Sequence, residues 1–176
     1  ITAGGGIRSI DDVQKLLNSG ADKVAINTAA VNNPDLISQV SNIFGSQCMV
    51  LSIEAKKIGE SKWEVYTENG RESTKIDPIE WAKNAVNLGA GEIIITSVDQ
   101  DGTLKGLDNN LIKRITDSVN VPVIASGGIG KINDINFLLE NSEISGIAIG
   151  SSLHYNKLKI DDLKTYIIKY GYDIRI

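Results

Sequence analysis

The sequence predicts an α/β fold, a (β/α)8 TIM barrel seen here as a fragment with about six parallel strands and an inserted β-hairpin. Three observations predict it. Apolar strands alternate with amphipathic helices at roughly 25–45 residue intervals, the rhythm of a parallel sheet. One strand–turn–helix–strand unit occurs twice: Thr2 to Arg8 (TAGGGIR) is answered by Ala125 to Lys131 (ASGGIGK), and Ser9 to Leu17 (SIDDVQKLL) by Lys131 to Leu139 (KINDINFLL). The copies pair the first strand with the fifth and the second with the sixth, so the period is four units and two periods make eight. A doubly wound open sheet is the alternative, but it does not normally repeat with that period.

The elements follow in order. Ser9 is an N-cap with Asp12 three residues on, and Gly20 stops that helix. Ile10, Val13, Leu16 and Leu17 fall on one helical face. A short strand occupies 23–27, Asn33-Pro34 starts the next helix and Gly45 ends it. Met49 to Glu54 (MVLSIE) is an apolar strand ending in a carboxylate. Lys56 to Thr74 breaks the rhythm: WEVYT followed by ENGRES, with Asn69-Gly70 at the turn, predicts the inserted hairpin. Asp77-Pro78 opens a helix that runs through Leu88, and 92–96 is a buried strand. A polar glycine loop (SVDQDGTLKG) precedes a helix from about Asn109 to Ser118. Strands at 122–125 and 147–150 flank the second glycine turn and its helix, and Ile160 to Lys169 closes the chain. Residues 1–176 are read as one partial barrel domain. The chain opens in strand text without a methionine, so a longer parent protein is expected.

Composition excludes several classes. The balance of 18 basic against 22 acidic residues leaves a net charge of −4, with the basic residues scattered, so no nucleic-acid footprint is expected. No apolar run reaches the ~20 residues of a membrane span, and the single cysteine, Cys48, forms no internal disulfide. A cytoplasmic protein without membrane contact is the expectation. His154 is the only histidine; no metal site and no cofactor are expected. It is read as packing or as a residue behind a phosphate site.

Glycines just past a strand let backbone N–H groups crowd round an anion, although they also simply permit tight turns. Two such turns, completed by the small residues Asn27-Thr28 and Gly150-Ser151, predict two phosphate sites and a ligand with a phosphate at each end. Barrel chemistry belongs to the C-terminal strand ends. The acidic candidates there are Glu54, Asp99 and Asp101, which can divide acid and base work; Asp99 and Asp101 have shaping the loop as the plainer role. Lys23 and Glu92 start their strands, and counting by twos sends both toward the barrel interior. They form an internal salt bridge or line an opening at the bottom face. Trp63 and Trp81 are read as packing residues.

GGGIRSIDD, GADKVAINTAAVNNP, WEVYTENGR, GAGEIIITSVDQDGT, VPVIASGGIG and SSLHY resemble the cyclase subunit of imidazole glycerol phosphate synthase, from that family's third strand to its C-terminus. The resemblance implies an enzyme of histidine biosynthesis docked to a glutaminase. Glutamine-derived ammonia would pass through the barrel to a bisphosphate formimino-ribotide, giving imidazole glycerol phosphate and aminoimidazole carboxamide ribotide. It further implies that Gly6, Asn27 and Thr28 hold one phosphate, and that Gly102, Ser126, Gly127, Gly128, Gly150 and Ser151 surround the other. Asp101 would stand near the reacting centre, Lys23 and Glu92 in a charged ammonia gate, and Asp22 against the glutaminase. The family's catalytic aspartates lie on its strands one and five. The first falls before residue 1, and the second is here Glu54, longer by one methylene, or ~1.5 Å. Relatives that feed ammonia to surface-sugar amidation are the second implied function, and a non-catalytic phosphate-binding scaffold for a glutaminase is the third.

Overall fold

A computed structural model describes residues 1–141 and 143–174. Six parallel strands form one sheet in the order β1 (Thr2–Gly4), β2 (Lys23–Ile26), β3 (Met49–Gly59), β6 (Glu92–Ser97), β7 (Val123–Ser126) and β8 (Gly146–Ala148). Two antiparallel strands, β4 (Lys62–Thr67) and β5 (Glu72–Ser73), lie off this path. Neighbours along the path follow one another in the chain once the hairpin is set aside. That is the sequential winding of a (β/α)8 barrel, here as an arc of six strands.

Helices cover one face. α1 (Ile10–Asn18), α3 (Asp35–Phe44), α4 (Pro78–Asn87), α5 (Asn109–Thr116), α6 (Asn136–Asn141) and α8 (Ile160–Lys169) connect or follow the strands. Their apolar stripes meet the alternate strand residues Val24, Ile26, Leu51, Ile53, Ile93, Ile95, Val123 and Ala125, all in one buried core. Burying such side chains contributes about 2 kcal/mol each before the entropy of ordering them is subtracted. The other strand parity, including Ser52, Glu54, Ile94, Thr96, Ile124 and Ser126, is half-buried and looks to the inner face.

The duplication extends to atomic detail. Asp12 accepts from the N–H groups of Arg8 (3.0 Å) and Ser9 (3.1 Å). Its counterpart Asp134 accepts from Gly130 (2.9 Å) and Lys131 (3.0 Å). The shared aspartate thus closes the turn onto the helix start in both copies. Asn27 (φ −113, ψ −86) and Gly150 (φ −110, ψ −82) likewise adopt one backbone conformation.

Several expectations require correction. Glu54 does not end its strand: β3 continues to Gly59 and pairs antiparallel with β4. The insertion is therefore three-stranded, because Lys56 to Gly59 finds ladder partners that the apolar pattern did not reveal. Two short helices, α2 (Thr28–Asn32) and α7 (Ser151–His154), follow β2 and β8 where the sequence indicated only polar strand ends. Pro34 precedes α3 rather than opening it. The helix after the second glycine turn begins as a 3-10 segment, Ile132–Ile135. His154 is exposed at the end of α7, its ring edge-on to Tyr155, and so is not a packing residue. Trp63 and Trp81 are buried, and Trp63 Nε1 donates to Asp108 at 2.7 Å.

Candidate functional site

Both glycine turns leave the same edge of one parallel sheet, since each follows the C-terminal end of a strand running in the common direction. The first turn opens on a cavity of about 650 Å³ lined by Gly4 to Arg8, Asn27, Thr28, Ser52, Glu54, Glu68 and Asn69, among others. The second lines a slot of only about 30 Å³ with Asp101, Gly102, Ser126, Gly127, Gly128, Gly150 and Ser151. Strand order sets Glu54 on β3 and Asp101 just past β6 between these two places. With strands ~4.8 Å apart, β2 and β7 stand roughly 14 Å apart along the sheet, a span for an elongated ligand rather than a single anion.

The turns need their glycines. Gly5 and Gly6 have φ of +92 and +72, and Gly127 and Gly128 of +96 and +102, a region closed to most side chains. A Cβ on Gly6 would meet nothing within 4 Å among the described residues, whereas one on Gly128 would lie 2.2 Å from the Gly106 carbonyl oxygen. Room beside Gly6 is room for a ligand. Gly128 is closed over by the 98–106 loop, and the Gly106 N–H donates to the Gly128 carbonyl at 2.8 Å.

Glu54 is half-buried, and its Oε2 has no hydrogen-bond partner among the described residues. Burial raises its pKa; the Gly70 N–H and the Asn27 amide pull it down, and the charges of Asp101 and Glu68 push it further up. A carboxyl held protonated beyond its ordinary range can act as an acid. Asp101 is exposed and its side chain makes no hydrogen bond among the described residues, leaving it free to act on a ligand. Asp99 instead accepts from the Lys57 N–H at 2.6 Å and so fixes the loop to β3.

At the opposite end of the strands, Lys23 Nζ meets Glu92 Oε2 at 2.6 Å. Asp22 stands beside this pair, immediately before Lys23. Sequence reasoning missed Arg8, Ser52, Glu68 and Asn69 in the first cavity. Arg8 and Ser52 were findable, the one adjoining the glycine turn and the other sharing the strand parity of Glu54. Glu68 and Asn69 arrive from the hairpin, and nothing local announces where its turn will land.

The family described as "Histidine biosynthesis protein" matches residues 1–159. The chain belongs to this family. It is also 59% identical over 136 residues to "Imidazole glycerol phosphate synthase subunit HisF" from Legionella pneumophila, a match covering 77% of this chain and 64% of that relative. The chain thus spans less than two thirds of the length of the curated relative it matches. No helix among the described residues is long and apolar enough to cross a membrane.

Proposed function

We propose that this chain supplies the phosphate-holding and acid–base edge of a cyclase subunit of imidazole glycerol phosphate synthase, acting in the cytoplasm with a glutaminase partner. One observation carries the reading: two glycine turns on one sheet edge, with Glu54 and Asp101 between them in strand order. The backbone N–H groups of Gly6 and Asn27, together with Thr28, grip one phosphate of the bisphosphate ribotide. Gly102, Ser126, Gly127, Gly128, Gly150 and Ser151 take the other, and the small second slot requires the 98–106 loop to give way. Fixing both ends holds the reacting centre against the two carboxylates, which is worth far more than either group alone. Glu54, protonated beyond its ordinary range, delivers the proton with which water leaves as ammonia condenses with the ribulosyl carbonyl, and the imidazole then closes with release of the aminoimidazole carboxamide ribotide. Asp101 removes one. The Lys23–Glu92 pair guards the ammonia entrance on the far edge, and Asp22 belongs to the face that meets the glutaminase.

The test joins the N-terminal segment of the Legionella pneumophila relative ahead of residue 1 and assays turnover of the ribotide with ammonia. Turnover that falls at least ~100-fold in Asp101→Asn supports the reading; ribotide binding without turnover makes the chain a scaffold instead. A second reading is favoured by Glu54 itself, which reaches ~1.5 Å further than an aspartate. On that reading the barrel delivers ammonia for amidation of a surface-polysaccharide sugar. Release of ammonia from glutamine in the glutaminase complex, with no ribotide consumed, would select it.

A further inference from the structure

The hairpin is tied to the end of β2, beside the first glycine turn, by two hydrogen bonds that phosphate binding does not require. Asn27 Nδ2 donates to the Tyr66 carbonyl at 3.1 Å, and the Glu68 N–H donates to Thr28 Oγ1, also at 3.1 Å. Tyr66 is the residue opposite Glu54 in the antiparallel ladder. A carbonyl accepts only from a donor, so this bond fixes which end of the Asn27 amide faces the hairpin. Asn27 Oδ1 is then left buried and without a partner among the described residues, as is Glu54 Oε2. Of the two Nδ2 hydrogens one goes to Tyr66 and the other faces the Glu54 carboxyl, so what the amide has left for phosphate is an acceptor that phosphate oxygens repel. Thr28 differs: its oxygen accepts from Glu68 while its own O–H stays free to donate.

The turn beyond Tyr66 is strained. Glu68, Asn69 and Gly70 have successive φ of 51, 58 and 73, a conformation that non-glycine residues hold only when their surroundings enforce it. Gly70 sits so close to Val98 that a Cβ would lie 2.9 Å from Cγ1. The turn therefore touches the first cradle on one side and the loop leading to Asp101 on the other. Glu68 and Asn69 line the same cavity as Glu54.

Building on the proposed function, we propose that the side chain of Asn27 is a positioning group for Glu54, clamping the strand opposite it, while backbone N–H groups, that of Asn27 included, and Thr28 hold the anion. Thr28 latches the next turn, so the hairpin is a strap across the first cradle. The groups facing Glu54 are then the Asn27 amide, the Gly70 N–H, and the charges of Asp101 and Glu68.

The test uses this chain, isotope-labelled, with inorganic phosphate as the probe. Three quantities are read by NMR: the titration midpoint of the Glu54 carboxyl carbon, amide exchange at Glu68 and Gly70, and phosphate-induced shifts at Gly5 and Gly6. In Asn27→Ala the midpoint rises, exchange at the turn quickens about tenfold, and phosphate affinity stays within about threefold. Asn27→Ser, which perturbs packing less, shows the same pattern if the larger truncation fails to fold. Phosphate affinity weakened tenfold or more, with midpoint and exchange unmoved, makes the Asn27 side chain a phosphate ligand and overturns the proposal. Should Gly5 and Gly6 of the unsubstituted chain ignore phosphate, the proposed function fails at this cradle. The Glu54 midpoint and the exchange rates still decide the strap, which is overturned if neither moves.

Discussion

The turn after β1 and the turn after β7 share a sequence pattern, positive φ at paired glycines and an aspartate that ties each to its helix. Their surroundings differ. The first faces a cavity of about 650 Å³, the second a slot of about 30 Å³ beneath the 98–106 loop. In the first turn the glycines serve backbone conformation and leave space for a ligand. In the second they also serve packing, since neighbouring backbone occupies the volume a side chain would need. A glycine motif therefore specifies how the chain turns, and the loop laid over it decides how much room the turn offers.

The sharpest way to break this comparison is to add one methyl group to each turn. Gly128→Ala forces a Cβ to 2.2 Å from the Gly106 oxygen, and is expected to cost about 3 kcal/mol in urea unfolding. Gly6→Ala meets no atom of the described residues within 4 Å and carries only the conformational cost, about 1 kcal/mol, and under the proposed function it is expected to weaken phosphate binding at that turn. Equal losses of stability would erase the distinction between an open and a packed turn.

The paired aspartates sharpen it further. Asp134→Ala frees two N–H groups, that of Gly130 being part-buried, and should cost about 1–2 kcal/mol. Asp12→Ala frees N–H groups that water can reach, and its unfolding midpoint should move less.

The smallest effect concerns Glu54, on the open side. Its pKa is raised above the ordinary 4.5, chiefly by burial. The folded state then binds more protons than the unfolded state between 4.5 and the folded midpoint, and stability falls as pH rises through that window. Glu54→Gln is therefore expected to stabilise the chain at neutral pH and to make no difference well below 4.5. Chemical unfolding at several pH values checks this, and a stabilisation that persists in acid would show that burial of charge is not its cause.

Much of the fold was legible in the residues. The Ser9–Asp12 cap and the Asp77 cap with Pro78 stand where capping put them, the strands expected at 23–27, 92–96 and 122–125 lie within one residue of those bounds, and the one expected at 147–150 occupies Gly146–Ala148. Boundaries slipped where short-range pattern competes with pairing: the apolar run ends at Glu54, yet the ladder carries β3 five residues further. The pairing of each glycine turn with Asn27-Thr28 or Gly150-Ser151 came from the repeat, whereas the placing of Gly102 beside Ser126–Gly128 and Gly150-Ser151 came from the family resemblance. What lies over them came from neither.

Alternation, glycine placement and capping act over a few residues, and so this chain's text by itself determined two matching strand–helix–strand units on a parallel sheet and the edge where their turns emerge. The clamp of Asn27 on Tyr66 spans 39 residues, and the contact of Gly128 with Gly106 joins two separate loops. Only the folded chain decided those, because they depend on where an inserted hairpin and a polar loop come to rest, and no local propensity encodes that position.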